Sequence, residues 1–353
     1  MSAGEEFREI LKQRARGPTH LGELDPALCE RAMELILSRA ATPAQIGGFL
    51  LVGRAAGDSA AEIAAYTRPM RALARRIDAP SGPPVVTLTG GFDGKLRTFN
   101  VGAAASLVAA AAGGRTLLLG GENTPPKAGR TVFDALRGLG FAAPQGLEEA
   151  ANSLTEHGIA ATSVEHYLPE LHALLGLRWE MARRTVLSVC EKIVSPVPET
   201  RWMIGVSHRP FLESVSRALI ELGVRHALVY QAIEGSDEAP LDGSSSLVRI
   251  RDGEVEEFSV EPESLGLIRA TKAHIPWRNE EDETRNLLAA LGGAGAEPVR
   301  ALILYNAALR LWMGAPDTSS PLDGHLERAE AALESGAAVD LLERAQRAVT
   351  LPG

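Results

Sequence analysis

The chain has 353 residues, 45% hydrophobic and 23% charged, which excludes a disordered chain and suffices for two domains or one domain with a subdomain. Its formal net charge of −9 argues against broad nucleic-acid binding, though a local basic groove stays compatible with it. The longest apolar stretch, around Ala103 to Ala112, falls short of the about 20 residues that span a bilayer, and the polar start MSAGEEFREILKQRARG has no apolar signal core.

No membrane association is therefore expected, and the location expected is cytoplasmic. Cys29 and Cys190, far apart in sequence, suit a reducing compartment and form no metal-binding pattern. Arginine outnumbers lysine and alanine is abundant, a coding-composition effect that leaves single arginines with little functional weight.

Residues up to about Ile77 read as wholly helical. DPALCERAMELILSRA (25–40) places Leu28, Ala32, Leu35 and Ile36 on one helix face. Thr42 is the expected N-cap of the next helix, with Pro43 at its first position. Ser59 caps a third, with Glu62 completing a capping box. Asp78, Pro80, Gly82 and Pro83 make a linker.

From Val85 short β-prone runs begin: VVTLT, RTLLLG (115–120), RWMIGVS (201–207), RHALVYQ (225–231) and VRALILY (299–305). Helical stretches separate most of them, which predicts a mainly parallel sheet flanked by helices. Asp252-Gly253 within LVRIRDGEVEEFSV (247–260) predicts a hairpin. Residues 165–192 read as helical, and HLERAEAALESGAAVDLLERAQRAV as two helices parted at Ser335-Gly336. SDEAPLDGSSS (236–246) is a polar loop. The fold class expected is α/β, a small discontinuous all-helical domain beside a larger α/β domain. The boundaries expected are 1–77 plus about 163–198 for the helical domain, and 78–162 plus 199–353 for the α/β domain.

Three loops carry the chemistry. LTGGFDGKLRTFN (88–100) runs from a strand through a glycine turn to a helix start, where unpaired N–H groups and the helix dipole favour anions. Gly90, Gly91 and Gly94 let the backbone approach a ligand, and Asn100 can cap the helix starting at Val101. A tight turn with no ligand is the other reading, and Lys95 and Arg97 are phosphate partners or solvated loop charges. LLLGGENTPPKAGRTVFDALRGLG (117–140) is a second strand-to-helix loop and carries Lys127. Both loops should emerge at the carboxyl end of the sheet, where open α/β sheets host ligands. EGSDE (234–238) places Asp237 and Glu238 at a strand end, which suits Mg²⁺ or an ordinary acidic loop.

In this order the loops resemble the anthranilate phosphoribosyltransferase family, whose fold is shared with pyrimidine nucleoside phosphorylases. The resemblance covers nearly the whole chain. TPAQIGGFLLVGRAAGDSAAEIAAYTRPMR is similar to the family's helical signature, TGG…DG…TFN to its diphosphate loop, and EGSDE to its metal-binding Asp-Glu. GLR…RRT (176–185) lies where the family has an arginine-containing helix pair. NAALRLWMG (306–314) and ALESGAAVDLLE resemble its closing helices.

The resemblance implies phosphoribosyl pyrophosphate bound between the domains, with Mg²⁺ neutralising the leaving pyrophosphate while an aromatic amine attacks the ribose. It implies diphosphate contacts from Gly90, Gly91, Asp93, Gly94 and Asn100 and metal binding by Asp237 and Glu238, and Lys95, Arg97, Asn123 and Lys127 on the same loops are further candidates for substrate contact. Arg178 would grip the acceptor's carboxylate. A homodimer through the helical domain, around Phe49 to Val52, is also implied.

The chain departs from the family pattern at several points. Phe92 intervenes between the glycines and Asp93. Gly102-Ala103 stand where the family has a phosphate-binding Ser-Thr pair. Leu119, Gly120, Gly121, Glu122 and Asn123 replace Lys-His-Gly-Asn-Arg, which puts a carboxylate beside an anion site at a cost of about 1 kcal/mol near a surface. Glu191 replaces a small neutral position in SVCEKIVSP (188–196). TPPKAG before the helix and Glu191 in SVCEKIVSP resemble a divergent, glycosyl-transferase-like branch of the family.

The reading from sequence is a Mg²⁺-dependent glycosyl or phosphoribosyl transferase of unknown acceptor. The alternative is a noncatalytic member holding nucleic acid or another polyanion in the interdomain groove through Lys95, Arg97, Arg178, Arg183 and Arg184. A new small-molecule activity is the third reading.

Overall fold

The computed structural model describes residues 2–16, 23–243, 246–317 and 319–350. Part of the polar loop expected at 236–246, residues 244 and 245, lies outside them. Four helices open the chain: α1 (Ala3–Arg14), α2 (Pro26–Leu37), α3 (Pro43–Ala56) and α4 (Ala60–Leu73). Their starts follow the caps read from sequence. Thr42 and Gln45 form a capping box on α3, and Ser59 and Glu62 form one on α4. Glu62 also accepts the Leu24 N–H at 2.8 Å and pairs with the buried Arg14, tying α1 and the approach to α2 onto α4. Phe7, Phe49 and Tyr66 stack edge to face in the bundle's core.

The sheet has seven strands: β1 (Val86–Thr89), β2 (Thr116–Gly120), β3 (Ile159–Ser163), β4 (Arg201–Val206), β5 (His226–Gln231), β6 (Ser246–Arg251) and β7 (Glu254–Ser259). Their order is β3-β2-β1-β4-β5-β6-β7, parallel through β5 and antiparallel after it. The expected hairpin is β6–β7, and Asp252 and Gly253 both take positive φ in its turn. Strand order reverses between β1 and β4, so the crevice above them is the topological switch point.

Helices α5 (Gly102–Ala111), α6 (Val132–Gly138) and α7 (Leu147–Glu156) follow β1 and β2. The block 165–192 resolves into four short helices, α8 (Val164–Tyr167), α9 (Pro169–His172), α10 (Leu175–Met181) and α11 (Leu187–Cys190). α12 (Pro210–Glu221) joins β4 to β5. α13 (Glu280–Leu291), α14 (Glu297–Gly314), α15 (Asp323–Glu334) and α16 (Ala337–Thr350) end the chain, the last two parted at Ser335-Gly336 as expected.

Two expectations fail. VRALILY is not a strand but lies in α14, which is buried on nearly every side. A helix with no polar face loses its 3.6-residue signature and reads as a buried strand. The alanine-rich β3 gave no strand signal and was not expected.

Apolar packing follows the faces of the sheet. One face, with Leu88, Leu118, Met203 and Leu228, packs on α5, α6 and α13 to α16. The other, with Leu117, Leu119, Ile204 and Val229, shares a core with α12 and the helical bundle, including α11. The linker is fixed by Arg75 N to Tyr167 O at 2.8 Å and Ile77 N to Pro196 O at 3.0 Å. Cys29 and Cys190 are buried and unpaired, and burial pushes the Cys29 thiol up to about 12. No helix among the described residues is long and apolar enough to cross a membrane.

Candidate functional site

β1 delivers the chain to the switch point, where residues 90–102 meet the loops 121–131 and 233–239. The glycines serve contacts between these loops. A Cβ on Gly90 would lie 2.4 Å from the backbone of Ser236, and Gly94, at φ +73°, admits Gly129 O where a Cβ would lie 2.3 Å away. Gly91 N donates to Gly235 O at 2.5 Å. Close backbone approach was expected toward a ligand; here it is toward neighbouring loops. The intervening Phe92 is buried and joins the core shared with the bundle.

The charged residues of these loops are paired with one another. Lys95, expected on the loop surface if unliganded, is 2% exposed, donates to Phe99 O at 2.6 Å and forms an ion pair with Glu238. Glu238 also accepts the Gly102 N–H at 2.9 Å and the Ser236 hydroxyl at 3.3 Å. An internal carboxylate thus occupies the start of α5. Burial pushes the Glu238 carboxyl above its usual range, with Lys95 opposing. Asp237 meets Arg310 at 3.0 Å, its Oδ2 only 2.6 Å from where a Cβ on residue 102 would lie. Glycine at 102 is what leaves room for that carboxylate.

Asn100 does not cap the helix. α5 begins at Gly102 with no side-chain cap, because Asn100 Nδ2 donates to Thr131 O at 3.1 Å and to Glu283 at 3.3 Å. Glu283 also holds Arg130 at 2.7 Å. Asp93 is buried between Arg184 and Lys127, the latter 3.6 Å away. Burial lowers the Lys127 ammonium, with Asp93 opposing. Arg97 is largely exposed and lies against Glu234 at 3.4 Å. Asn123 is exposed at positive φ, and Glu122 turns to Arg137 at 2.7 Å instead of facing the glycine turn.

Arg178 was expected to grip an acceptor's carboxylate. Instead it is buried in a two-bond pair with Glu191, at 2.7 and 2.9 Å, so the chain supplies that carboxylate itself. Burial opposes its charge, but Glu191 prevails and raises the guanidinium. With Lys95, this removes two of the five cations expected to line a polyanion groove. Arg183 and Arg184 remain on the surface, Arg184 bound to Asp93.

Two spaces adjoin. One, about 30 Å³, is bounded by Gly90, Gly94, Lys95, Asn100, Arg130 and Asp237. The other, about 290 Å³, lies between the bundle and the sheet, with Phe92, Val189, Phe211, Arg184, Glu191 and Lys192 on its wall. Lys192 is buried and donates to Gly205 O at 2.8 Å; burial draws its ammonium down to about 8 despite Glu191 and Asp93. Among the described residues no cluster of three or more His, Cys, Asp or Glu could hold a metal ion.

Sequence reasoning missed Lys192, Glu283, Arg130 and Arg310. Arg310 had a usable signal: an arginine inside the apolar run NAALRLWMG requires a buried acceptor. Asn306, one turn before it, fixes the acidic loop by exchanging bonds with Ala239 N and O at 2.8 and 2.9 Å.

A family model described as the a/b domain of a glycosyl transferase family matches residues 86–339, and one for that family's helical bundle domain matches 8–74. An anthranilate phosphoribosyltransferase of Thermomicrobium roseum is 33% identical over 91% of each chain. That of Paramagnetospirillum magneticum is 32% identical over 96% of this chain and 94% of its own. The anthranilate phosphoribosyltransferase structure from Thermus thermophilus superimposes with a TM-score of 0.81 at 24% identity, covering 98% of this chain and 99% of that one. The Saccharomyces cerevisiae enzyme in complex with PRPP and Mg also gives 0.81, at 18% identity and 98% coverage of both. The chain belongs to the anthranilate phosphoribosyltransferase family of glycosyl transferases.

Proposed function

We propose that the chain is a Mg²⁺-dependent phosphoribosyl transferase whose diphosphate site is the glycine turn and whose acceptor site is the cavity beside Phe92. The observation that carries this reading is convergence at the switch point. A helix start, a glycine turn and a buried acidic pair meet there beside a cavity walled by both the bundle and the sheet.

The acidic pair fits the metal unevenly. Both oxygens of Glu238 are engaged and the residue is fully buried, so the pair is not a two-carboxylate site while Lys95 stays in place. Among the described residues only Oδ2 of Asp237 accepts a hydrogen bond, from Arg310, and the residue borders the 30 Å³ space. One carboxylate with substrate oxygens and water meets the habit of Mg²⁺, so Asp237 is the residue that would hold it. When bound, the ion supplies charge neutralisation to a departing diphosphate.

The chain's own part is positioning. Arg184 and Lys127, held on Asp93 between turn and cavity, are the cations placed to meet diphosphate oxygens. Phe92, Val189 and Phe211 give the acceptor an apolar wall. Closure of Arg178 by Glu191 makes the acceptor one that is not recognised through a carboxylate on that arginine.

Calorimetric titration with PRPP, with and without Mg²⁺, tests the reading. Binding is expected only with the metal and is expected to vanish in Asp237→Ala. Absence of binding at about 1 mM ligand, a bare 4 kcal/mol of affinity, would sink it. A homodimer through the bundle belongs to the same proposal. Phe49 and Leu50 are buried in the core, so the contact would fall to Leu51, 39% exposed, and Val52. A monomer in sedimentation at micromolar concentration would refute it.

A further inference from the structure

On the opposite edge of the sheet, at the amino ends of β1, β4 and β5, lies a cavity of about 680 Å³. Residues from the end of α4 and from the turn between α12 and β5 line it. Its wall carries Arg71, Arg76, Arg201 and Arg225, with His226 and Trp202 beside them. Among the described residues only Arg225 of these four arginines has a carboxylate partner, Asp252.

Arg71 donates from Nε to Ile193 O at 2.9 Å and from Nη1 to Leu222 O at 3.4 Å, and lies 5.6 Å above the Trp202 ring. Among the described residues its buried Nη2 has no hydrogen-bond partner, and neither has Nδ1 of His226, whose Nε2 lies 3.8 Å from Asp252. Burial, with no carboxylate opposing it, draws the Arg71 guanidinium down to about 10. Arg201 is 9% exposed and spends Nη1 on Met313 O and Ala315 O at the end of α14. Helix-end carbonyls offset part of a charge and leave the rest. The one carboxylate on the wall, Glu199, is exposed and forms no ion pair among the described residues.

A chain with 45 acidic and 36 basic residues does not lack carboxylates to neutralise these cations. A buried donor without a partner costs free energy, and Arg71 Nη2 beside this cavity is a donor for which the described residues supply no acceptor. We propose that this cavity binds a small phosphorylated metabolite, its phosphate held by Arg71 and Arg76. Guanidinium forks match phosphate oxygens, and 680 Å³ is within the range of small-molecule sites and larger than a bare phosphate needs. Val197, Val224 and Trp202 give the organic part an apolar wall. The bound molecule would bridge α4 of the bundle and the edge of the sheet. The site is independent of the transferase reading.

The test compares inorganic phosphate, glycerol 3-phosphate and ribose 5-phosphate by calorimetry, with phenylglyoxal labelling mapped by mass spectrometry. Expected are tighter binding of an organic phosphate than of phosphate, and its protection of Arg71 and Arg76 from labelling. Arg76→Gln, an exposed change that spares the packing, should weaken that binding about tenfold and leave PRPP titration unchanged. Protection confined to Arg184, equal affinity for inorganic phosphate, undiminished binding in Arg76→Gln, or no saturation at about 10 mM would each overturn the proposal.

Discussion

At the carboxyl edge of the sheet, Lys95, Arg130, Arg178, Arg184 and Arg310 each meet a carboxylate of the chain itself. At the amino edge Arg71 and Arg201 meet backbone carbonyls, and Arg76 pairs with no acid among the described residues. A paired cation keeps its position without a ligand and must be released before it binds one. A cation held by carbonyls keeps its ionic charge available. The first edge is therefore organised but closed, the second open.

The largest test of this contrast is Lys95→Met, which leaves Glu238 buried without its partner. A loss of about 3–5 kcal/mol in urea unfolding is expected, and addition of Glu238→Gln should recover much of it. A loss below about 1 kcal/mol would mean the carboxyl edge is not held by its ion pairs.

Next is Lys192→Met. The folded-state pKa of Lys192 lies below its ordinary value, at about 8, so burying the ammonium costs stability at neutral pH. Between about 8 and 10.5 the unfolded chain binds the extra proton, and the wild type gains stability as pH rises. Relative to the variant, the wild type should gain on the order of 3 kcal/mol of stability between pH 7 and about 10.5. No gain, or a relative loss, across that window would contradict it.

Gly102→Ser places a Cβ against Asp237 and should cost about 1–3 kcal/mol. On an Asp237→Ala background the same change should cost much less, which a double-mutant cycle reads directly. The smallest effect expected is from Glu122→Gln. Its exposed pair with Arg137 points away from the turn, so stability should move by no more than about 0.5 kcal/mol and PRPP affinity should not change.

The elements that sequence made legible are those fixed locally. Thr42-Pro43, Ser59 with Glu62, and Asp252-Gly253 act over one to three residues, and all three appear as expected. VRALILY was misread because burial on every side erases periodicity. The meeting of the loops at the candidate site was legible because strand, glycine turn and helix start are adjacent in sequence. Its electrostatics was not, because the pairs join distant segments: Lys95 and Glu238 are 143 residues apart, Asp237 and Arg310 are 73 apart. Glu191, noted as a departure, closes on Arg178 only 13 residues away, but the helix turn that joins them has no signature in residue types.

The β6–β7 hairpin has a bearing on how copies of the chain meet. β7 is the last strand of the sheet, and Glu254, Glu256 and Glu257 are exposed along its six residues. Extending the sheet through this rim would set two rows of glutamate side by side, and like charges directly opposite repel. Sheet-to-sheet polymerisation through β7 is thereby disfavoured.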